Sequence, residues 1–261
     1  MLNYANEGSI EIMWDYTPAN FYEERVTWEL EDYSIEIEAG HIIARMTPAI
    51  FDSQPGLPGS LRGKLISYFL GAQPVRRKVF EIHGGAVNRL WPDGRRETTL
   101  EVQGAIQVHV SAQADIIITD DKGAVVHDTR RDRIETTKNL AQLSAHYYMA
   151  DPTLRKILDS FDASVRYPGN ELIYLYEIWD ALQTKFRRKK NARKALGISK
   201  PDRSRLTKLA NLEPLNQGRH RGRFADRLRD ATNAELSEAR RIAREMIEKY
   251  LMYLDKQRQH E

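Results

Sequence analysis

The fold is decided by two stretches near the carboxyl end of the chain, NELIYLYEIWDALQTKF (170–186) and TNAELSEARRIAREMIEKYLMYL (232–254). Apolar residues recur three or four positions apart in both, which predicts two amphipathic helices. The second stretch opens with Thr232 and Glu235, the spacing of a capping box. Two helices of this kind must bury their apolar faces against other elements, so this region is predicted to be a helical bundle.

The helical pattern extends towards the amino terminus as far as residue 132. Asp151 and Pro152 form an N-cap followed by a first-turn proline, and apolar residues at helical spacing continue to Val165. We therefore predict an all-helical domain over residues 132–261.

Residues 1–131 have a different periodicity, which is typical of strands. Tyr33–Glu38 alternates apolar and polar residues, and Ala39-Gly40 is a turn signal before the next alternating run, 41–46. At least six such short strands, separated by turns and including 78–83, 87–91 and 106–110, predict an antiparallel β-rich domain. Between the strands, Ser60 is predicted to cap a helix over residues 61–70. The predicted fold class is therefore α+β, with an N-terminal β-rich domain followed by a C-terminal helical bundle.

Composition excludes several classes of protein. The chain of 261 residues contains no cysteine, which rules out disulfides, thiol nucleophiles and thiolate metal sites. We find no signal-peptide pattern and no apolar run long enough to cross a membrane. The expected location is the cytoplasm, with no membrane partner and no cofactor.

Charge is distributed unevenly along the chain. Residues 1–130 carry 12 basic and 19 acidic side chains, whereas residues 131–261 carry 28 and 18. The most basic segment is 187–223, where thirteen lysines and arginines against two carboxylates leave a balance of +11. Such a segment favours contact with a polyanion, and the phosphates of a nucleic acid are the preferred partner. The predicted contact residues are Arg187, Arg188, Lys189, Lys190, Arg193, Arg219, His220, Arg221 and Arg223.

Four motifs of the helical half carry a resemblance: NELIYLYEI (170–178), ALGIS (195–199), GRHRG (218–222) and DATNAELSEAR (230–240). They resemble a helical domain that recurs in uncharacterised bacterial proteins and whose layout is loosely similar to HEPN-type bundles of toxin and phage-defence RNases. The resemblance covers at most residues 132–255. HEPN RNases carry an arginine separated from a histidine by four to six residues, and no histidine of the helical half has one. The resemblance therefore implies the architecture and not the nuclease chemistry.

Three functions remain open at this stage. The preferred one is a non-catalytic polyanion-binding protein. The second is an RNase-like effector with an atypical centre at Arg219 and His220. The third is an adaptor whose basic loop docks on an acidic surface, either of another protein or of the acidic first sixty residues of its own or a second chain.

Metal and catalytic sites receive little support from the sequence. His83, His109 and His127 fall on predicted strands, but their spacing is not diagnostic of a metal site. Asp93, Glu101 and Gln103 faintly resemble a nuclease hairpin, but a glutamine stands where a lysine is expected. We therefore predict neither a metal site nor a catalytic residue.

Overall fold

The computed structural model describes residues 8–100, 115, 117–119 and 125–259, and it confirms the α+β class. The chain divides into two compact units. The first comprises Met1–Ile66 and Phe80–Lys138, and the second comprises Ser67–Val79 and Asn139–Glu261. The sequence predicts one division at 131/132. In the structure the second unit also includes Ser67–Val79, and the boundaries at 66/67 and 138/139 fall within helices.

The first unit is built on a six-stranded sheet in the order β2-β3-β4-β1-β5-β6, with neighbouring strands antiparallel. The predicted hairpin between β3 and β4 is confirmed, and its turn places Ala39 and Gly40 at φ 46° and 93°. The strands are β1 (Ser9–Thr17), β2 (Val26–Glu29), β3 (Tyr33–Glu38), β4 (His41–Met46), β5 (Glu81–Leu90) and β6 (Arg96–Leu100).

One face of this sheet is buried, because alternation places isoleucines such as Ile12, Ile35 and Ile42 on the same side. Helix α1 (Pro48–Ser53) follows β4, and α2 (Leu57–Arg76) follows α1. Arg62 of α2 donates to the carbonyls of Ile82 and Gly84 in β5. The sheet is therefore held on one side by the first half of α2.

Two expectations for this region are wrong. Ser60 is not an N-cap, because α2 begins at Leu57 and the Ser60 hydroxyl donates to the Leu57 carbonyl within the helix. The two strands expected at 78–83 and 87–91 form a single strand, β5, because β1 pairs with it along its length. The antiparallel pair β7 (Ile117–Thr119) and β8 (Val125–Asp128) completes the described strands, and the strand predicted at 106–110 lies outside the described residues.

The second unit is a bundle centred on α5, which packs against α4, α6, α7 and α8. The Asp151 cap and the Thr232–Glu235 capping box are both confirmed. Its helices are α3 (Thr129–Tyr147, which enters from the first unit), α4 (Pro152–Arg166), α5 (Glu171–Lys185), α6 (Lys189–Leu196), α7 (Lys200–Asn211) and α8 (Asn233–Arg258). Among the residues that the structure describes, no helix combines the length and apolar composition needed to cross a membrane.

The bundle contains a buried carboxylate at the start of α5. Glu171 is 1% exposed and accepts two hydrogen bonds from Arg240 of α8, at 2.6 and 2.7 Å, and one from Arg77 at 2.8 Å. A carboxylate buried this deeply is tolerated because two guanidinium groups neutralise it. The contact fixes the beginning of α5 against α8.

Candidate functional site

The most basic part of the chain lies where α5 ends and α6 begins. Phe186 caps α5 and packs edge-on against Tyr253, with ring centroids 5.2 Å apart. The chain then reverses through Arg187, which is left-handed at φ 61°, and Arg188, which is extended. Helix α6 begins at the next residue. We call the four consecutive cations Arg187, Arg188, Lys189 and Lys190 the α5–α6 junction.

The junction lies between two helix ends. The sequence predicts that the run follows the C-terminal end of the preceding helix, where the dipole favours cations, and Arg187 does follow the C-cap of α5. In the structure Lys189 and Lys190 form the first turn of α6, which has no acidic residue and no side-chain cap. The positive end of the dipole and the cations therefore reinforce each other.

All four side chains of the junction are exposed. Within residues 8–100, 115, 117–119 and 125–259, no carboxylate lies within 4.0 Å of their charged groups, whereas many other arginines of the bundle are paired. The positive charge of the junction is therefore not neutralised by the described part of the chain.

An open groove of about 450 Å³ runs beside the junction, lined by Gln183, Thr184, Arg187, Arg188 and Lys189. No carboxylate lines it. The Gln183 amide nitrogen donates to Asp180 at 2.9 Å, and its oxygen is buried with no hydrogen-bond partner among the described residues. The groove is thus a concave surface lined by three cations.

The side chains of the glycine-flanked triplet 219–221 make more contacts within the bundle than those of the junction. Arg219 pairs with Asp180 of α5 at 3.0 Å, and its guanidinium lies 5.3 Å from the centroid of the Tyr176 ring. Burial raises the pKa of Tyr176, and Asp180 raises it further. Gly218 fits tightly, since an added Cβ would lie 3.1 Å from the Ala210 carbonyl. Arg219 is therefore a partly neutralised cation held against the bundle.

The other members of the triplet divide between structure and solvent. Arg221 donates to the Gly169 carbonyl at 2.8 Å, and also to the side chain of Asn170, so it ties the loop to the start of α5. His220 is exposed. Arg223 is also exposed, with its guanidinium 5.5 Å from the centroid of the Phe224 ring.

Several other cations of the segment are also engaged. Arg193 donates to the Ile198 carbonyl, Arg205 pairs with Glu238 at 2.7 Å, and Lys208 pairs with Glu213 at 3.0 Å. Glu238, like Asp180, lies outside the segment and reduces the balance of +11, whereas Glu213 is already counted in it. Sequence reasoning missed Asp180, Gln183 and Glu238, because only the packing of α5 and α8 brings them to the segment.

The histidines considered for a metal site do not form one cluster. His83 lies on β5 with Glu81 at 3.5 Å, and His127 lies on β8 with Asp132 at 3.1 Å. Among the described residues, no group of three or more histidines and carboxylates could hold a metal ion. His109 lies outside the described residues.

The hairpin considered for a nuclease site can be judged only in part, because Glu101 and Gln103 also lie outside the described residues. Its remaining acid, Asp93, accepts from Arg95 in the same turn.

No family model, no curated protein and no solved structure matches the chain.

Proposed function

We propose that the chain is a non-catalytic cytoplasmic binding protein whose helical unit contacts a polyanion, with the phosphates of a nucleic acid as the preferred partner. The observation that supports this most is the α5–α6 junction: four exposed cations, unpaired with any described carboxylate, at the positive end of a helix. An anion placed there would meet both the dipole and the side chains.

The predicted contact residues differ in the contacts that they already make. Arg187, Arg188, Lys189 and Lys190 carry the proposal, because a phosphate would not have to displace an existing partner. Arg219 and Arg221 are assigned to a supporting role, because the contacts of the first with Asp180 and of the second with Gly169 would have to be exchanged. His220 and Arg223 extend the surface without such an exchange, and Arg193 keeps its contact with the Ile198 carbonyl.

The proposal sets the expected dependence on salt. Neutralising four phosphates of duplex DNA gives a slope of roughly −3.6 for the logarithm of the association constant against the logarithm of the salt concentration. This corresponds to a roughly 100-fold loss of affinity between about 50 and 200 mM salt. The mode of binding is contact with the backbone, so little preference for base sequence is expected.

The test is a fluorescence-anisotropy titration of labelled duplex DNA and single-stranded RNA over a range of salt. The triple variant Arg187→Gln, Arg188→Gln, Lys189→Gln should reduce the slope to about −1. A control with the same loss of charge changes Arg96, Arg131 and Lys256, exposed cations outside the junction, to glutamine. No binding at low salt, or equal losses in both triple variants, would reject the proposal.

A further inference from the structure

A second concave surface lies between α4 and α5, away from the cationic groove. It has a volume of about 420 Å³ and is lined on one side by α4 residues from Pro152 to Ala163 and on the other by Tyr174 and Glu177 of α5. The Ser160 hydroxyl donates to Glu177 at 3.3 Å, which aligns the two helices across it. Its size falls within the range of small-molecule sites. We call it the α4–α5 groove.

The groove contains charges of both signs that form no direct ion pair with each other. Arg155 and Asp159 are four residues apart on α4, a spacing at which opposite charges usually pair. Instead the Arg155 guanidinium lies 6.0 Å from the centroid of the Tyr148 ring, and Asp159 accepts from the Tyr148 hydroxyl at 3.2 Å. Among the described residues, no oppositely charged group lies within 4.0 Å of Arg155, Lys156, Asp159 or Glu177.

These charges are arranged in order along the groove. Arg155 and Lys156 precede Asp159 by about one turn of α4, which is roughly 6 Å at about 1.5 Å per residue. Glu177 lies level with Asp159, because it bonds to the neighbouring Ser160. Ala163 and the Tyr174 ring follow one turn later. The groove thus has a cationic end, an acidic middle and an apolar end.

We propose that the α4–α5 groove binds a free α-amino acid with a large apolar side chain. The ligand carboxylate would meet Arg155 and Lys156, its ammonium group would meet Asp159 and Glu177, and its side chain would lie on Ala163 and Tyr174. An inorganic anion would meet the two carboxylates, and a metal cation would meet the two basic groups. A zwitterion satisfies both signs at the spacing that the helix sets.

The test is isothermal titration calorimetry of the full chain with L-phenylalanine, N-acetyl-L-phenylalanine and L-phenylalaninamide. The two derivatives lack the ammonium and the carboxylate charge respectively. Phenylalanine should bind in the millimolar range or tighter, and each derivative should bind about three- to tenfold more weakly, as expected for losing one partly exposed ion pair.

Two variants test which part of the groove binds the carboxylate of the ligand and which part binds its ammonium group. Lys156→Gln should weaken phenylalanine about three- to tenfold and leave phenylalaninamide unchanged, since the amide has no carboxylate to lose. Glu177→Gln should do the same for phenylalanine and leave the N-acetyl derivative unchanged. Lys256→Gln, an exposed charge change on the last turn of α8, should affect none of them. The proposal is overturned if phenylalanine gives no heat at millimolar concentration, if both derivatives bind as well as phenylalanine, or if the control variant weakens binding equally.

Discussion

Replacing Arg187 by glycine should stabilise the protein while weakening its binding to a polyanion. Arg187 follows the last turn of α5 in the left-handed region at φ 61°, where a side chain is disfavoured and glycine is not. At the end of α6 the left-handed residue is a glycine, Gly197, at φ 62°. The arginine therefore occupies a position that backbone stability alone would assign to glycine.

The magnitude follows from three contributions. Relief of the left-handed backbone gives about 1–2 kcal/mol, and the greater freedom of glycine in the unfolded chain removes about 0.5–1 kcal/mol. Arg187 lies two residues after the negative end of α5 and two residues before the positive end of α6, so removing its charge changes the dipole energy little. The net gain is about 1 kcal/mol, which corresponds to a rise in melting temperature of roughly 2–4 °C for a chain of this size.

Arg188 provides the matched control. It carries the same charge at the next position, but its backbone is extended at φ −153°, so glycine relieves no strain there. In urea denaturation followed by circular dichroism, Arg187→Gly should exceed Arg188→Gly in the free energy of unfolding by about 1 kcal/mol. In DNA titrations both variants should reduce the magnitude of the salt slope by about 0.9. Equal stabilities of the two variants would refute the strain argument, and an unchanged salt slope in both would refute the role of the junction.

Three further substitutions test the helical unit. Glu171→Gln should lower the free energy of unfolding by about 3 kcal/mol, because it leaves Arg77 and Arg240 against a neutral amide; a loss below about 1 kcal/mol in urea would contradict this. Gly71→Ala should lose at least about 2 kcal/mol, because its Cβ would lie 2.5 Å from the Ser144 side chain, and an unchanged melting temperature would disprove the close approach. Hydrogen bonds from Arg229, followed by those from Thr232, lower the pKa of Glu235 to about 2, so the stability it contributes is complete above pH about 4.5 and is lost as the pH falls towards 2. The stability difference between wild type and Glu235→Gln should shrink across that window, and a constant difference would show that the carboxylate is not the cause.

Much of the fold could be predicted because its signals are local. The alternating run before Ala39-Gly40, the Asp151-Pro152 cap and the Thr232–Glu235 capping box each specify an element from a few neighbouring residues. The strand order could not be predicted, because β1 lies between β4 and β5 through pairings distant in sequence. The sequence predicts a helix over residues 61–70 only, whereas α2 continues to Arg76. Pro74 hides this extension, because proline is disfavoured in the interior of a helix.

The candidate site could also be predicted only in part, because its ion pairs join residues that are distant in sequence. A count of charges finds the basic segment, but it does not show which cations are already paired. Arg219 meets Asp180 from 39 residues away, and Arg205 meets Glu238 from 33 residues away. Both carboxylates reach the segment only through helix packing. The triplet that looks most prominent in the sequence is thus the more neutralised part, and the plainer run 187–190 is the less neutralised one.

What distinguishes the α5–α6 junction is that three consecutive choices of residue oppose local stability. Arg187 stands where glycine is favoured, Arg188 stands at an N-cap where serine or aspartate is favoured, and Lys189 opens a helix where acidic residues are favoured. Elsewhere in the same unit Ser199 caps α7 and Thr232 caps α8, although Arg77 is also left-handed, at φ 48°, and α7 also opens with a lysine. Among the described helices the three departures coincide only at the junction, and such a local conflict indicates that these residues have another purpose. A bound anion would give the three cations the stabilising partner that the described chain does not supply.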